Sequence, residues 1–105
     1  MSPKCGELWL ADLGLAAKTR PVIIVSRDEV DPPRRLCVYV PLSTQNRGSQ
    51  YEVGLSGYAG LRAASVANVQ GIGSLPEPRF LHRLATLKPE DFDRVQAALR
   101  LLLVL

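Results

Sequence analysis

Histidine is almost missing from this sequence, and so is cysteine. His82 is the only histidine, and Cys5 and Cys37 each stand without a second cysteine nearby. No spacing for a zinc or other His/Cys metal centre exists, and no metal or cofactor is expected. Two cysteines are also too few for a disulfide framework. Cys37, inside the apolar run Leu36–Val40, reads as a small buried hydrophobe. Long apolar runs are missing too. The closing Leu101-Leu102-Leu103-Val104-Leu105 is far shorter than the ~20 residues that cross a bilayer, so no membrane span is expected. There is no basic start followed by an apolar segment, so no secretory signal is read, and the expected address is cytoplasmic. Repeats, low-complexity tracts and dividing linkers are absent, which points to a single domain over residues 1–105. Aromatics make up only 6%. Trp9 and Tyr58 are the candidates for stacking on a base, but a lone Trp at the start of a strand reads as core.

What is present is an ordinary globular composition. Hydrophobic residues make up 47% of the 105 and charged residues 22%, enough for one core. The net charge of +3 is mildly basic; it permits a phosphate-bearing partner without demanding one. The acids Glu90, Asp91 and Asp93 gather near the C-terminus. The arginines at 34, 35, 47, 62 and 79 lie in loop-like stretches and, taken singly, read as solvated surface.

The apolar pattern predicts strands first and a helix last. Leu8–Ala11 is strand-like, and Pro21–Val25 is a Val/Ile run too short for a helix, read as a strand buried on both faces. Asp31-Pro32-Pro33-Arg34-Arg35 is a turn, because two prolines remove two donors and force extended geometry. Leu36–Leu42 is the next strand, Asn46–Ser49 a turn, and Tyr51–Leu55 a period-two strand with one wet face. Ala64–Val69 is a strand candidate, Leu75-Pro76-Glu77-Pro78 a break, and Phe80–Leu84 the last strand. After Pro89 the period changes: Phe92, Val95, Leu99, Leu102 and Leu103 fall at three- and four-residue steps, with acids in the first turn. The fold class is therefore mainly β with a terminal helix, several short antiparallel strands closed into a small barrel-like sheet.

Two edges in this pattern carry chemistry. Lys18-Thr19-Arg20 sits just before one apolar run, and Ser43-Thr44-Gln45-Asn46-Arg47 just after another. If both edges lie at one rim of the sheet, a guanidinium and a hydroxyl converge on one phosphate.

The ordered set Gly6–Leu13, Arg20–Ser26, Val40–Ser43 and Ser65–Gln70, followed by the terminal helix, resembles the MazF/PemK toxins of type II toxin–antitoxin systems over nearly the whole chain. The resemblance implies an SH3-like barrel, a homodimer, and a metal-independent, sequence-selective endoribonuclease (an mRNA interferase) acting on single-stranded RNA. It also implies a cognate antitoxin whose disordered, acidic and apolar C-terminal tail covers the RNA groove. In the family an arginine before a proline and a threonine ending the middle strand form the catalytic pair. Arg20 matches the first; Ser43 stands in the place of the second, keeping the hydroxyl and losing the methyl. Gln70 matches a glutamine found near the substrate. Family members often carry a longer segment with a Gly-Ser-Glu acid between the first two strands, whereas Gly14–Thr19 is short and holds no acid.

Metal-free RNA cleavage by the ribose 2′-OH needs a base, stabilisation of charge at phosphorus, and protonation of the leaving 5′ oxygen. Arg20 suits the second task, and Ser43 can donate to a non-bridging oxygen or orient the 2′-OH. Lys18 and Arg47 are expected to follow phosphates, and Thr44, Gln45, Asn46, Asn68 and Gln70 to contact the strand, the amides reading base edges. His82 has the right titration range for a base but reads as an exposed strand histidine. Two other functions are compatible with the same pattern: a CcdB-like gyrase-poisoning toxin, whose C-terminal tryptophan has no counterpart here, and a catalytically degenerate RNA-binding barrel.

Overall fold

The computed structural model of the chain describes residues 2–14 and 19–105. Its elements in chain order are β1 (Glu7–Asp12), β2 (Thr19–Ile24), β3 (Leu36–Ser43), β4 (Glu52–Leu55), β5 (Ser65–Asn68), β6 (Gly73–Pro76), β7 (Phe80–Thr86) and α1 (Pro89–Leu103). Every strand pair is antiparallel. The sheet runs β4-β5-β3-β2-β1-β7, and β6 pairs with the first half of β3.

Both faces of the sheet carry apolar side chains, and this explains β2. Ile23 joins Leu8, Val40, Leu42, Ala67 and Val95 on the face covered by α1. Val22 and Ile24 join Trp9, Ala11 and Phe80 on the other, where Tyr39 and Leu75 complete the layer. Three consecutive residues are thus buried, as the unbroken Val/Ile run predicts. Tyr39 meets Phe80 edge-on, with centroids 6.4 Å apart.

The hydrogen-bonded path does not close into a ring, as the barrel expectation had it. It ends at β4 on one side and β7 on the other. Side chains bridge the opening instead. A Cβ on Gly60, in the segment after β4, would stand 3.2 Å from Leu84 of β7. The Tyr58 hydroxyl donates to Asp91 of α1 and accepts the Lys88 N–H at 2.9 Å. Arg94 reaches from α1 to the Gly54 carbonyl of β4 at 2.9 Å. The two free edges, which would otherwise expose pairing groups, are tied together through one loop and one helix.

Three features depart from the sequence expectations. First, Gly73–Pro76 is a strand and not a break. The first half of β3 has an unpaired edge, and Leu36↔Pro76 through Tyr39↔Gly73 satisfies it. Pro76 is tolerated because β6 is an outer strand with no further partner on the path. Second, Cys37 is half-buried rather than buried; burial, with the Glu77 and Asp28 carboxylates nearby, pushes its thiol up. Third, α1 buries Val95 and Ala98, while Leu103 stays 46% exposed. At 3.6 residues per turn Leu103 lies about 80° around the helix from Val95, at the margin of the apolar stripe. His82 is exposed on β7, as expected.

Glu7 is a buried carboxylate at the start of β1. It accepts from Trp9 Nε1 at 2.9 Å, from the Lys4 N–H at 2.8 Å and from Arg83 at 3.2 Å. Burial pushes the carboxyl up, but these hydrogen bonds and the Arg83 charge outweigh it and hold Glu7 below its ordinary range.

A carboxylate with a lowered folded-state pKa stabilises the fold above its unfolded value, and that contribution is lost as pH falls through the folded value. The melting temperature of the wild type should therefore fall more steeply than that of Glu7→Gln below the unperturbed value of 4.5. Parallel curves would show that the network carries no such linkage. Core depth gives a second test by urea denaturation. Ile23→Ala, at a fully buried position, should cost about 2–5 kcal/mol, and Leu103→Ala should stay within about 0.5 kcal/mol.

Candidate nucleic-acid interface

Two prolines decide where the sheet stops and the polar rim begins. Gly6 N–H donates to the Ile24 carbonyl at 2.8 Å, and Val25 N–H to the Val38 carbonyl at 3.0 Å. Backbone groups alternate along a strand, so the even residues of β2 face β1 and the odd ones face β3. Pro21 therefore lacks the N–H that would extend the β2–β3 ladder. That ladder ends at Val22↔Pro41, while the β1–β2 ladder runs on to Asp12↔Thr19.

Continuing the β2–β3 register two places brings Arg20 opposite Ser43. By the same alternation this is a non-hydrogen-bonded pair, the type in which Cα atoms stand only about 4.5 Å apart and side chains share a face closely. That face is the one carrying Val22, Ile24 and Tyr39, and the pair occupies its polar end. Arg20 is exposed and Ser43 half-exposed. Arg35, Arg79, Arg83 and Arg94 all have carboxylate partners; among the described residues Arg20 has none. Ser43 Oγ accepts the Gln45 N–H at 3.0 Å, which turns the chain after β3 and leaves the hydroxyl proton free to donate.

Pro41 acts on the opposite edge of β3. Its missing N–H points toward β5 and β6, and the two ladders leave a gap there, between Tyr39↔Gly73 and Leu42↔Ala67. A 3₁₀ turn, Val69–Gly71, fills the gap. Val69 is fully buried, and Asn68 Oδ1 accepts the Gln70 N–H at 3.2 Å, so Gln70 sits exposed on an anchored turn. A Cβ on Gly71 would lie 2.7 Å from Pro41 Cγ, so this close approach requires glycine.

The loop after Ser43 is exposed from Thr44 through Gln50. Asn46 Oδ1 accepts the Gly48 N–H at 2.8 Å, with Gly48 at φ +68. The Glu52 carboxylate accepts the Arg47 N–H at 3.1 Å and the Ser49 N–H at 2.9 Å. Those backbone donors hold the Glu52 carboxyl below its ordinary range. Across β4 and β5, Glu52 pairs in register with Asn68, so the 46–49 loop and the 68–70 turn share one corner.

The structure thus sets Arg20 level with Ser43 at one end of β3, with Thr44, Gln45, Asn46 and Arg47 in the loop that follows, and places Asn68 and Gln70 farther back along the other edge of β3, from the level of Pro41 on. Lys18 lies outside the described residues. His82 is on β7, two strands from β2, and does not join them. Trp9 is core, 4% exposed, with its indole N–H given to Glu7. Glu52 was missed by the sequence reading, which treated it as the wet face of a strand. Its signal was an acid three residues after the serine that closes the Asn46–Ser49 turn. A cleft of about 550 Å³ opens at the opposite end of β2 and β3 beside Arg27, Asp28, Arg34, Arg35, Cys37 and Glu77, with cations and anions mixed. Among the described residues no three His, Cys, Asp or Glu side chains gather as a metal site, and no helix is long and apolar enough to cross a membrane.

A small antiparallel sheet with a terminal helix, carrying a cation and a hydroxyl on adjacent strand ends, is the architecture of one toxin class. Residues 4–103 match the PemK-like, MazF-like toxins of type II toxin–antitoxin systems, and the chain belongs to that family. Its fold is similar to toxin MazF-mt6 of Mycobacterium tuberculosis, at 24% identity and a TM-score of 0.82, covering 94% of this chain and 97% of that one. It is similar also to a mycobacterial endoribonuclease in complex with its cognate antitoxin, at 24% identity and TM-score 0.85, over 99% and 97% of the two chains. The MazF of Deinococcus radiodurans gives 23% identity and TM-score 0.82, over 100% and 99%.

Gly71→Ala tests the packing of the 3₁₀ turn. The rigid Pro41 ring cannot yield as a flexible side chain would, so the variant should lose about 1–3 kcal/mol in urea denaturation and shift the Gln70 amide resonance. An unchanged midpoint would mean that the turn does not depend on this contact.

Proposed function

We propose that this chain is the toxin of a type II toxin–antitoxin pair and cleaves single-stranded RNA without a metal, by attack of a ribose 2′-OH on the adjacent phosphorus. The observation that carries the reading is the register that, continued two places, sets Arg20, without a carboxylate partner among the described residues, opposite Ser43, beside amides and hydroxyls. Family membership and the endoribonuclease among its structural neighbours support it.

In this mechanism the 2′ oxygen bonds to phosphorus as its proton passes to water, and the P–O5′ bond breaks as the leaving 5′ oxygen takes a proton from water, leaving a 2′,3′-cyclic phosphate and a 5′-hydroxyl. Arg20 holds two phosphate oxygens in its planar fork and stabilises the charge that grows on them. Ser43, tied through one lone pair, donates to a non-bridging oxygen. Arg47 follows a neighbouring phosphate, and Gln45, Asn46, Asn68 and Gln70 read base edges. His82 stands apart, so catalysis rests on positioning and charge stabilisation, and a modest rate suits a toxin that needs only a few cuts. A homodimer extends the rim across two copies. A cognate antitoxin with an acidic, apolar tail masks it in the cytoplasm, in keeping with the antitoxin complex of the mycobacterial neighbour.

The test is incubation of the purified chain with a long single-stranded transcript in EDTA, with the cut sites mapped. Cleavage should yield cyclic-phosphate ends and be blocked by 2′-deoxy substitution at the cut. Arg20→Ala should abolish it, and Ser43→Ala should slow it by about 10²–10³ with the fold intact. Cleavage that survives Arg20→Ala, or that proceeds through a 2′-deoxy linkage, would overturn the assignment.

A further inference from the structure

In the loop between β3 and β4, Thr44 through Gln50 are all exposed, and Tyr51, just before β4, packs against the core. The loop is nonetheless densely bonded, and the bonds are of one kind. Side-chain oxygens accept backbone N–H groups from Gln45, Arg47, Gly48, Ser49 and Tyr51. Three of these acceptors are local: Ser43, Asn46 and Ser49 each serve an amide two residues on. Glu52 differs. Its carboxylate gathers two separate amides, Arg47 and Ser49, and Oε1 takes both. Glu52 itself is fixed in β4, with Asn68 as its register partner and the Val53 side chain behind it buried in the core.

We infer that Glu52 is a positioning residue for substrate: its carboxylate clamps the 45–49 loop so that Gln45, Asn46 and Arg47 are presented to RNA already ordered. This deepens the ribonuclease reading and rests on it for the identity of the substrate. The physical reason is entropic. An exposed loop that must be ordered on binding loses affinity to the cost of ordering it; a loop ordered beforehand does not. Two convergent N–H groups would otherwise attract an anion. The chain's own carboxylate fills that place, and the amides are turned inward toward β4 while the side chains of the loop are left for the ligand. The lowered pKa of Glu52 agrees with a carboxylate held by donors.

Glu52→Ala and Glu52→Gln separate this role from the alternatives. Glu52 is half-buried at the start of β4 and belongs to neither core cluster, so both variants should fold, with a melting temperature lowered by a few degrees at most. In Glu52→Ala, KM for a single-stranded RNA should rise about tenfold with kcat within about twofold, the ratio expected when a ligand must order a released loop. The Arg47 and Ser49 amides should exchange with solvent faster. Glu52→Gln keeps one carbonyl acceptor and should recover most of the affinity. An unchanged or lowered KM in Glu52→Ala would overturn the clamp, the lowered value showing that the carboxylate blocks a phosphate site instead. If the wild type leaves RNA intact and unbound, the ribonuclease reading fails. Amide exchange then decides the clamp alone: faster exchange at Arg47 and Ser49 keeps it, and unchanged exchange ends it.

Discussion

The pairing of β2 with β3 is the constraint on which the rest of the molecule depends. β3 is the hub of the sheet, bonded to β2 on one edge and to β6 and β5 in succession on the other. Its register with β2 is held from both faces, because Ile23 and Val40 meet under α1 while Val22, Ile24 and Tyr39 belong to the opposite layer. A slip of one residue would turn each of these side chains to the wrong layer, and with apolar cores on both sides that is doubly costly. The same register sets Arg20 level with Ser43. The hydrophobic pattern that builds the core thus also aligns two polar residues that contribute nothing to it.

The prolines convert this rigid scaffold into a site. Pro21 ends one ladder and Pro41 opens a gap in another, each by lacking a single donor on the edge where pairing would otherwise continue. What emerges at both places is backbone that must find partners elsewhere. Side chains provide them: Ser43 and Glu52 in the loop after β3, Asn68 in the 3₁₀ turn. Exposed, polar and variable segments held by a two-layered core are where binding chemistry usually lies. In the cleft at the far end of β2 and β3 the charges are mixed and the rim residues are absent.

Charge is informative here only after it is resolved by partner. A net charge of +3 is a weak signal. Arg79 and Arg83 neutralise Asp12 and Glu7, and Arg94 is bound to Asp91 and the β4 backbone. These hold the edges of the fold. Arg20 has no such partner among the described residues; neither do Arg27, Arg34, Arg47, Arg62 and Arg100, and what distinguishes Arg20 is its register opposite Ser43. The family's acid between the first two strands has no counterpart in Gly14–Thr19, so a larger share of the proposed chemistry falls to the guanidinium and the hydroxyl.

The strand-then-helix order, the doubly buried β2, the wet face of β4 and the start of α1 at Pro89 were legible in the sequence, because burial imposes a period that residues display one by one. Arg20 and Ser43 were legible too, as polar residues at abrupt ends of apolar runs. Their alignment was not, since it follows from a ladder between segments about twenty residues apart. β6 hid behind its closing proline, because a strand at a sheet's margin needs only one bonded edge, and that edge is supplied by β3. The opening between β4 and β7 and its closure by Tyr58, Gly60 and α1 likewise belong to tertiary structure alone. Glu52 shows the division most plainly: the sequence makes it an acid on a strand, and only the folded loop, with two amides turned onto one oxygen, makes it a clamp. Local periodicity reports which face a residue takes, whereas register and loop hydrogen bonds decide what it meets there.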